Sequence, residues 1–321
     1  MQAVLQNTSR YLSGGRSGLF VVIGLLVVMF IVGAVLSDRF ATSNNLLNVY
    51  EQSAGLAFVS LGQTLTILTG GIDLSVGSII SLVAMLTSGL INGNPAMVLP
   101  VVLFVLVLGT LIGVMNGAAV VVTGVHPLIV TLGTGAIVQG VALLYGLGPT
   151  GKVPLNFDTF AYGRIAGKIS IGATIAIALF LLVSFILRYT RSGRYVYAVG
   201  DDPHAARLMA LPHKRVLIGV YAASGFFAAL TAVYLVSRFG VGQPYTGANY
   251  TLASITPVVV GGTMLAGGRG GVIGTLLGVY LVSLLNNVLN FMDVSSHFQL
   301  VVQGLVIILA VSVYVEKRRV A

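Results

Sequence analysis

The chain has 321 residues, of which 56% are hydrophobic and only 8% charged, and a formal net charge of +9. A soluble domain carries about 25% charged residues, so water is excluded as the solvent for most of this chain and lipid takes its place. The absence of cysteine excludes disulfides and thiolate metal sites, and His126, His204, His213 and His297 show no ligand spacing, so no metal site is expected. Most basic residues fall between or beyond apolar runs, which reads as membrane orientation rather than a nucleic-acid face.

A helix needs roughly 20 residues to cross a hydrocarbon core of ~30 Å. Ten stretches are predicted to do so. In chain order they are Leu19–Leu36, Leu46–Thr69, Leu74–Ile91, Ala96–Gly124, Pro127–Leu147, Ile169–Leu187, Val216–Ser237, Thr251–Ala266, Val272–Met292 and Phe298–Val315. The first is longer than a signal-peptide core and lacks a small-x-small cleavage site, so it reads as a retained span. The fold class is therefore all-α integral membrane protein, about ten transmembrane helices, in one membrane domain over residues 1–321.

With an even number of spans both termini share a side. Placing them in the cytoplasm leaves Arg39, Lys152, Arg164, Lys168 and Arg238 outside and the other twelve basic residues, Lys317, Arg318 and Arg319 among them, inside. That asymmetry favours cytoplasmic termini. Two polar connections are long enough to matter: residues 148–168 outside and 188–215 inside.

The third span opens with an anomaly, the acid in LTGGIDLSVGS. Asp73 follows a Gly-Gly pair in a break between two spans. Two readings stay open: a cap on a helix beginning at Leu74, and a cap that also lines a polar path, since irregular backbone is tolerated at membrane depth where it borders a cavity. Gly261-Gly262 resembles Gly70-Gly71 in setting, each pair following an aliphatic run that carries hydroxyls. On this topology the two run in the same sense, which argues against an inverted repeat of these motifs.

Amides also sit in or near apolar runs: Gln52, Gln63, Asn116, Gln139, Asn286, Asn287, Asn290 and Gln303. They need hydrogen-bond partners there. Either they tie helix to helix, or they line a path that offers amide and hydroxyl groups to a polar solute. The path residues selected from this set and its neighbours are Gln63, Asp73, Ser75, Asn286, Asn287 and Asn290. Asn286 and Asn290, four apart, share a helix face.

In the inner connection, Asp201-Asp202-Pro203 is a helix start: Asp caps free N–H groups and Pro suits the first turn. Good helix formers follow to Leu211, and Pro212 stops the run. The result is a short surface helix, either a plain connector or a docking element for a cytoplasmic partner.

No nucleotide site is apparent. Gly262 to Gly267 has the glycine spacing of a phosphate loop, but Gly268-Arg269 stands where Lys-Ser/Thr is required. No nucleophile–base set is visible either, so no enzyme activity is expected and uphill transport would draw its energy from elsewhere. An ion-coupled carrier would need intramembrane ionisable groups, and the candidates are Glu51 and Asp73, both near span ends.

Four motifs in order carry a resemblance: GGIDLSVGS at 70–78, TRSGRYVYAVGDDPHAARLMAL at 190–211, VVGGTMLAGGRGGVIGTLLG at 259–278 and NNVLN at 286–290. Together they resemble the permease subunits of bacterial ATP-binding-cassette sugar importers of the ribose/xylose/galactose type, over about residues 43–315. The resemblance implies a membrane-spanning subunit in the bacterial inner membrane that moves a monosaccharide by alternating access. It implies a second permease copy or a sister permease, a cytoplasmic two-cassette ATPase that holds the ATP-Mg, and a periplasmic sugar-binding protein. It also implies a coupling helix made of Asp202, Pro203, His204, Ala205, Ala206, Arg207, Leu208, Met209, Ala210 and Leu211, seated in a groove of the ATPase. Where family members often carry Gly-Ile after the Ala-Ala-Arg-Leu stretch, this chain has Ala210-Leu211-Pro212, and a tighter helix end is expected. Import of amino acids or another small polar solute, and ion-coupled transport, are the alternatives.

Overall fold

The computed structural model describes residues 2–167 and 169–314; Lys168, Val315 and the terminal Lys317, Arg318 and Arg319 lie outside the described residues. The helices in order are α1 (Gln2–Leu36), α2 (Ser43–Leu68), α3 (Val76–Ile91), α4 (Val98–Thr123) and α5 (Pro127–Tyr145). The connection after α5 folds as a 3-10 turn, the one-turn α6 (Thr159–Tyr162) and a two-stranded ladder of β1 (Arg164–Ile165) and β2 (Ile169–Ser170). There follow α7 (Ile171–Tyr189), α8 (Arg191–Asp201), α9 (Pro203–Leu208), α10 (His213–Phe239), α11 (Tyr250–Ala253), α12 (Ile255–Val260), α13 (Val272–Phe291) and α14 (Ser296–Tyr314).

Among the described residues, six helical segments are long and apolar enough to cross a membrane: Leu19–Leu36, Pro95–Thr123, Pro127–Tyr145, Ile171–Tyr189, His213–Phe239 and Val272–Phe291. The chain is a mostly helical membrane protein. Two expected spans change character. The third starts at Val76, not Leu74, and its 16 residues rise only about 24 Å at 1.5 Å each. The eighth, Thr251–Ala266, is not one helix: α11 and α12 meet at Ser254, and α12 stops at Val260. Pro257 in α12 removes an N–H and crowds the preceding turn, and the next residues are glycines.

The likeness of the two Gly-Gly pairs has a local cause. At the end of α2, Gly71 N–H bonds Thr66 O at 3.0 Å and Gly70 N–H bonds Ile67 O at 2.9 Å. At the end of α12, Thr263 N–H bonds Val258 O at 3.1 Å and Gly262 N–H bonds Val259 O at 2.9 Å. Gly70 (φ +78°) and Gly262 (φ +86°) take the left-handed conformation at matching positions. Each pair is a helix stop of the Schellman kind, in which glycine supplies the positive φ.

The core is built around α10, which packs on α4, α2 and α3. Gly109, Gly113 and Gly117 recur every fourth residue and form a bare stripe on α4. A Cβ at Gly113 would overlap the Tyr221 carbonyl, and one at Gly117 would stand 2.6 Å from Ile218 Cα. Small residues at this spacing let two backbones meet in lipid, where apolar burial against lipid gains nothing and close packing must hold helices together.

Candidate functional site

The break between α2 and α3 holds Asp73 and Ser75 buried and is closed by side chains from four helices. Gln63 of α2 brackets the Asp73 backbone: with its amide assigned by its partners, its nitrogen donates to Asp73 O and its oxygen accepts from Asp73 N–H, each at 3.2 Å. Thr131 of α5 accepts from Leu74 N–H at 3.1 Å and donates towards Ile72 O at 3.1 Å. Irregular backbone away from water must find such partners.

The Asp73 carboxylate, 0% exposed, accepts at Oδ1 from Ser75 N–H at 3.0 Å and from the Ser75 hydroxyl at 2.6 Å. Its Oδ2 meets the Ser224 hydroxyl of α10 at 2.8 Å. Asn116 of α4 donates through Nδ2 to Ser75 Oγ at 2.8 Å. Because an amide nitrogen can only donate, Ser75 Oγ accepts there and sends its own proton to Asp73. The helix therefore begins two residues later than the sequence predicts. Ser75 occupies the N-cap position, without a side-chain cap bond of its own, and Asp73 satisfies the N–H of that residue. Two buried groups beside this node, the Tyr221 hydroxyl and Asn116 Oδ1, have no hydrogen-bond partner among the described residues.

Asn286, Asn287 and Asn290 lie elsewhere. They line a cavity of about 280 Å³ together with Gln52, Asn249, Ser283, Gln299 and Gln303; neither Gln63, Asp73 nor Ser75 borders it. Each asparagine is bonded across a helix boundary. Asn286 Oδ1 accepts from Gln303 Nε2 at 3.1 Å, and Asn290 Oδ1 from Gln299 Nε2 at 2.7 Å. Asn287 and Asn45 exchange two amide bonds of 2.9 and 3.0 Å. The six residues selected from sequence thus fall into two groups of three, a buried node and a cavity wall. Of the two acids considered for ion coupling, Glu51 stands 3.7 Å from Arg164 of β1, and Asp73 belongs to the node.

The α9 segment forms with the expected cap. Asp202 accepts from His204 N–H at 2.8 Å and Ala205 N–H at 2.9 Å, with Pro203 in the first turn. These two backbone donors hold the Asp202 carboxyl below its usual range. The helix proper ends at Leu208, so Met209, Ala210 and Leu211 form its C-terminal turn rather than helix. Leu211 N–H bonds Ala206 O and Ala210 N–H bonds Arg207 O, both at 3.0 Å, with Ala210 left-handed at φ +54°. This is the glycine-type stop made with alanine. Ala206 is buried, while Leu208 and Met209 are 76% and 75% exposed.

The α8–α9 segment approaches the start of the Asp73 break backbone to backbone. Gly268 N–H donates to Leu68 O at 3.0 Å. A Cβ on Gly200 would overlap that same Leu68 carbonyl, and one on Gly267 would lie 2.7 Å from Gly70 N and 2.8 Å from Gly200 O. Tyr197 of α8 adds a hydroxyl bond to Gly270 O at 3.0 Å. The surface helix, the second glycine turn and the end of α2 form one joint.

A family profile described as branched-chain amino acid transport system / permease component matches residues 45–311. The chain belongs to this family. Among curated proteins the permease is 38% identical over 296 residues to the ribose import permease protein of Escherichia coli (strain K12), covering 91% of each chain. It is 31% identical to the D-allose transport system permease protein of the same organism, covering 92% of this chain and 90% of the relative. It is 33% identical to the fructose import permease protein of Rhizobium meliloti, covering 100% of this chain and 91% of the relative. No solved structure matches. The permease is thus a transporter component and not an enzyme, and its family implies an ATPase and a periplasmic binding protein as partners.

Three amides escape the sequence reading of the permease: Asn249 and Gln299 of the cavity wall, and Asn45, which bonds Asn287 of that wall. For Gln299 a signal exists, since it stands four residues before Gln303 on the same helical face. Asn45 and Asn249 lie outside regular apolar runs, where an amide is ordinary and carries no signal.

Proposed function

We propose that this chain is the membrane-spanning subunit of an ATP-driven importer for a monosaccharide in the bacterial inner membrane. It works as a single membrane domain of about ten membrane segments, the third short and the eighth broken, with both termini cytoplasmic, paired with a second copy or a sister permease around one path. A two-cassette ATPase binds the inner face and a sugar-binding protein the outer. The observation that carries this reading is the near full-length match to relatives named for ribose, D-allose and fructose transport. The amide wall of the cavity and the Asp73 node are the two polar stations of the path. The α9 segment docks the ATPase through Leu208 and Met209, whose exposure on a capped helix supports that role.

Import of amino acids, the alternative closest to the family description, is disfavoured by the cavity. Among the described residues its wall offers amides and hydroxyls but no charged side chain to a zwitterion.

The test is reconstitution of the permease with its ATPase and binding protein in proteoliposomes, with labelled D-ribose, D-allose and D-fructose. ATP-dependent uptake of one of these, abolished by an ATPase-dead partner and unaffected by protonophore, is expected. Protonophore-sensitive uptake, or none in the presence of ATP, overturns the reading.

A further inference from the structure

The amide pairs around the cavity differ in build. Asn287 and Asn45 bond reciprocally, and Asn45 is further fixed by its bond to Phe40 O at 2.8 Å. That pair is a strut between α13 and α2. The Asn286–Gln303 and Asn290–Gln299 pairs each rest on one bond, and both span α13 and α14. The spacing is four residues on each helix, so the two rungs stack along one seam. The Asn286 rung is half-buried, and the Asn290 rung stands at the exposed mouth.

We propose that these two rungs are a latch which a neutral polyhydroxyl ligand opens by bond exchange. The proposal rests on the monosaccharide-import reading above and assigns Gln299 and Gln303 to it. An amide offers donors and an acceptor, and a sugar hydroxyl offers both as well, so a hydroxyl can replace either member of a rung. The number of hydrogen bonds is conserved when α14 parts from α13, and no amide is left without a partner in an apolar setting. Gln299 keeps a second bond to Val294 O at 3.0 Å, which holds its side chain at the mouth during the exchange. The chemistry also sets the ligand class. A cavity of about 280 Å³ has room for about nine waters at ~30 Å³ each, and among the described residues its wall carries no charge to meet a carboxylate or phosphate. Equal exchange means weak binding, as a path requires.

Saturation-transfer NMR on the purified full-length permease in nanodiscs reads such weak contact directly, with D-ribose, D-allose and D-fructose as neutral probes and ribonate as a charged one. Transfer to at least one neutral sugar is expected, with ribonate receiving less than a tenth as much. Replacing a whole rung by an apolar pair, Asn290→Leu with Gln299→Leu or Asn286→Leu with Gln303→Leu, keeps helix contact and should cut the transfer at least fivefold. Swapping the members, Asn290→Gln with Gln299→Asn, restores the amide chemistry and should restore the transfer, which separates recognition from damage to the fold. Equal transfer in wild type and leucine variants overturns the latch, as does ribonate matching the sugars or a swapped rung that behaves like the leucine pair. ATP-driven uptake measured in parallel distinguishes the failures: uptake without any sugar transfer to the permease removes the latch alone, whereas absence of uptake removes the import reading.

Discussion

Ser224 Oγ lies 2.8 Å from Asp73 Oδ2, so one hydrogen bond pins the middle of α10 to the break between α2 and α3. The donors that meet this carboxylate are neutral: one N–H and two hydroxyls. An asparagine can keep its Oδ1 towards Ser75 and turn its Nδ2 towards Ser224.

Asp73→Asn is therefore expected to fold with wild-type yield, whereas Asp73→Ala strands buried donors and should lose about 1–3 kcal/mol. Ser224→Ala should fall between them. Thermal unfolding of the purified permease reads all three. An Asp73→Asn variant as damaged as Asp73→Ala would show that the charge itself is required.

The sequence reading treats Ala206 and Leu208 as equal places to disturb coupling, but the structure separates them. Ala206 is 4% exposed and Leu208 76%. Leu208→Asp should leave the fold and α9 intact and reduce ATP-driven uptake at least tenfold, while Ala206→Asp should disorder the helix first. Uptake by a well-folded Leu208→Asp permease at the wild-type rate would remove α9 from the coupling path.

Ala210 holds a left-handed φ of +54°, which costs a non-glycine residue about 1–2 kcal/mol. Ala210→Gly relieves that strain. The amide of Leu211, bonded to Ala206 O, should exchange its hydrogen about fivefold or more slowly, the equivalent of about 1 kcal/mol. Unchanged or faster exchange would contradict the left-handed stop.

The Asp202 cap fixes a pH window. Its carboxyl is held below the ordinary carboxylate range by the N–H groups of Ala205 and His204. A depressed folded-state pKa means the stabilisation is fully present above the unfolded value and is lost as pH falls through the folded one. In the cysteine-free chain, a spin label on a cysteine at Met209 should report unchanged order from neutral pH down to about pH 4 and rising mobility below it. Asp202→Asn, which still caps, should abolish the transition, and Asp202→Ala should be mobile throughout. A transition surviving in Asp202→Asn would assign it to another group.

What the sequence determined by itself was whatever depends on composition and on near neighbours. Charge poverty set the solvent, apolar run length set most helices, and Asp-Pro set the start of α9. Each is an energy a segment carries regardless of where the rest of the chain goes. Tertiary structure decided how polar groups are shared. Gln63, Asp73 and Ser75 look no different in sequence from Asn286, Asn287 and Asn290, as polar residues in apolar surroundings. Only packing shows that the first three close a break in a node while the others bond between helices and face a cavity. The cost of an unmet amide or acid depends on a partner far along the chain, as Asn287 depends on Asn45 and Asp73 on Ser224. The eighth span illustrates the same division. Its hydropathy supports a crossing helix, but Pro257, Gly261 and Gly262 stop it, and the turn that follows is held by Leu68 and packs against Gly200. No local signal names such neighbours, because backbone-to-backbone contact through glycine leaves no side chain to mark it.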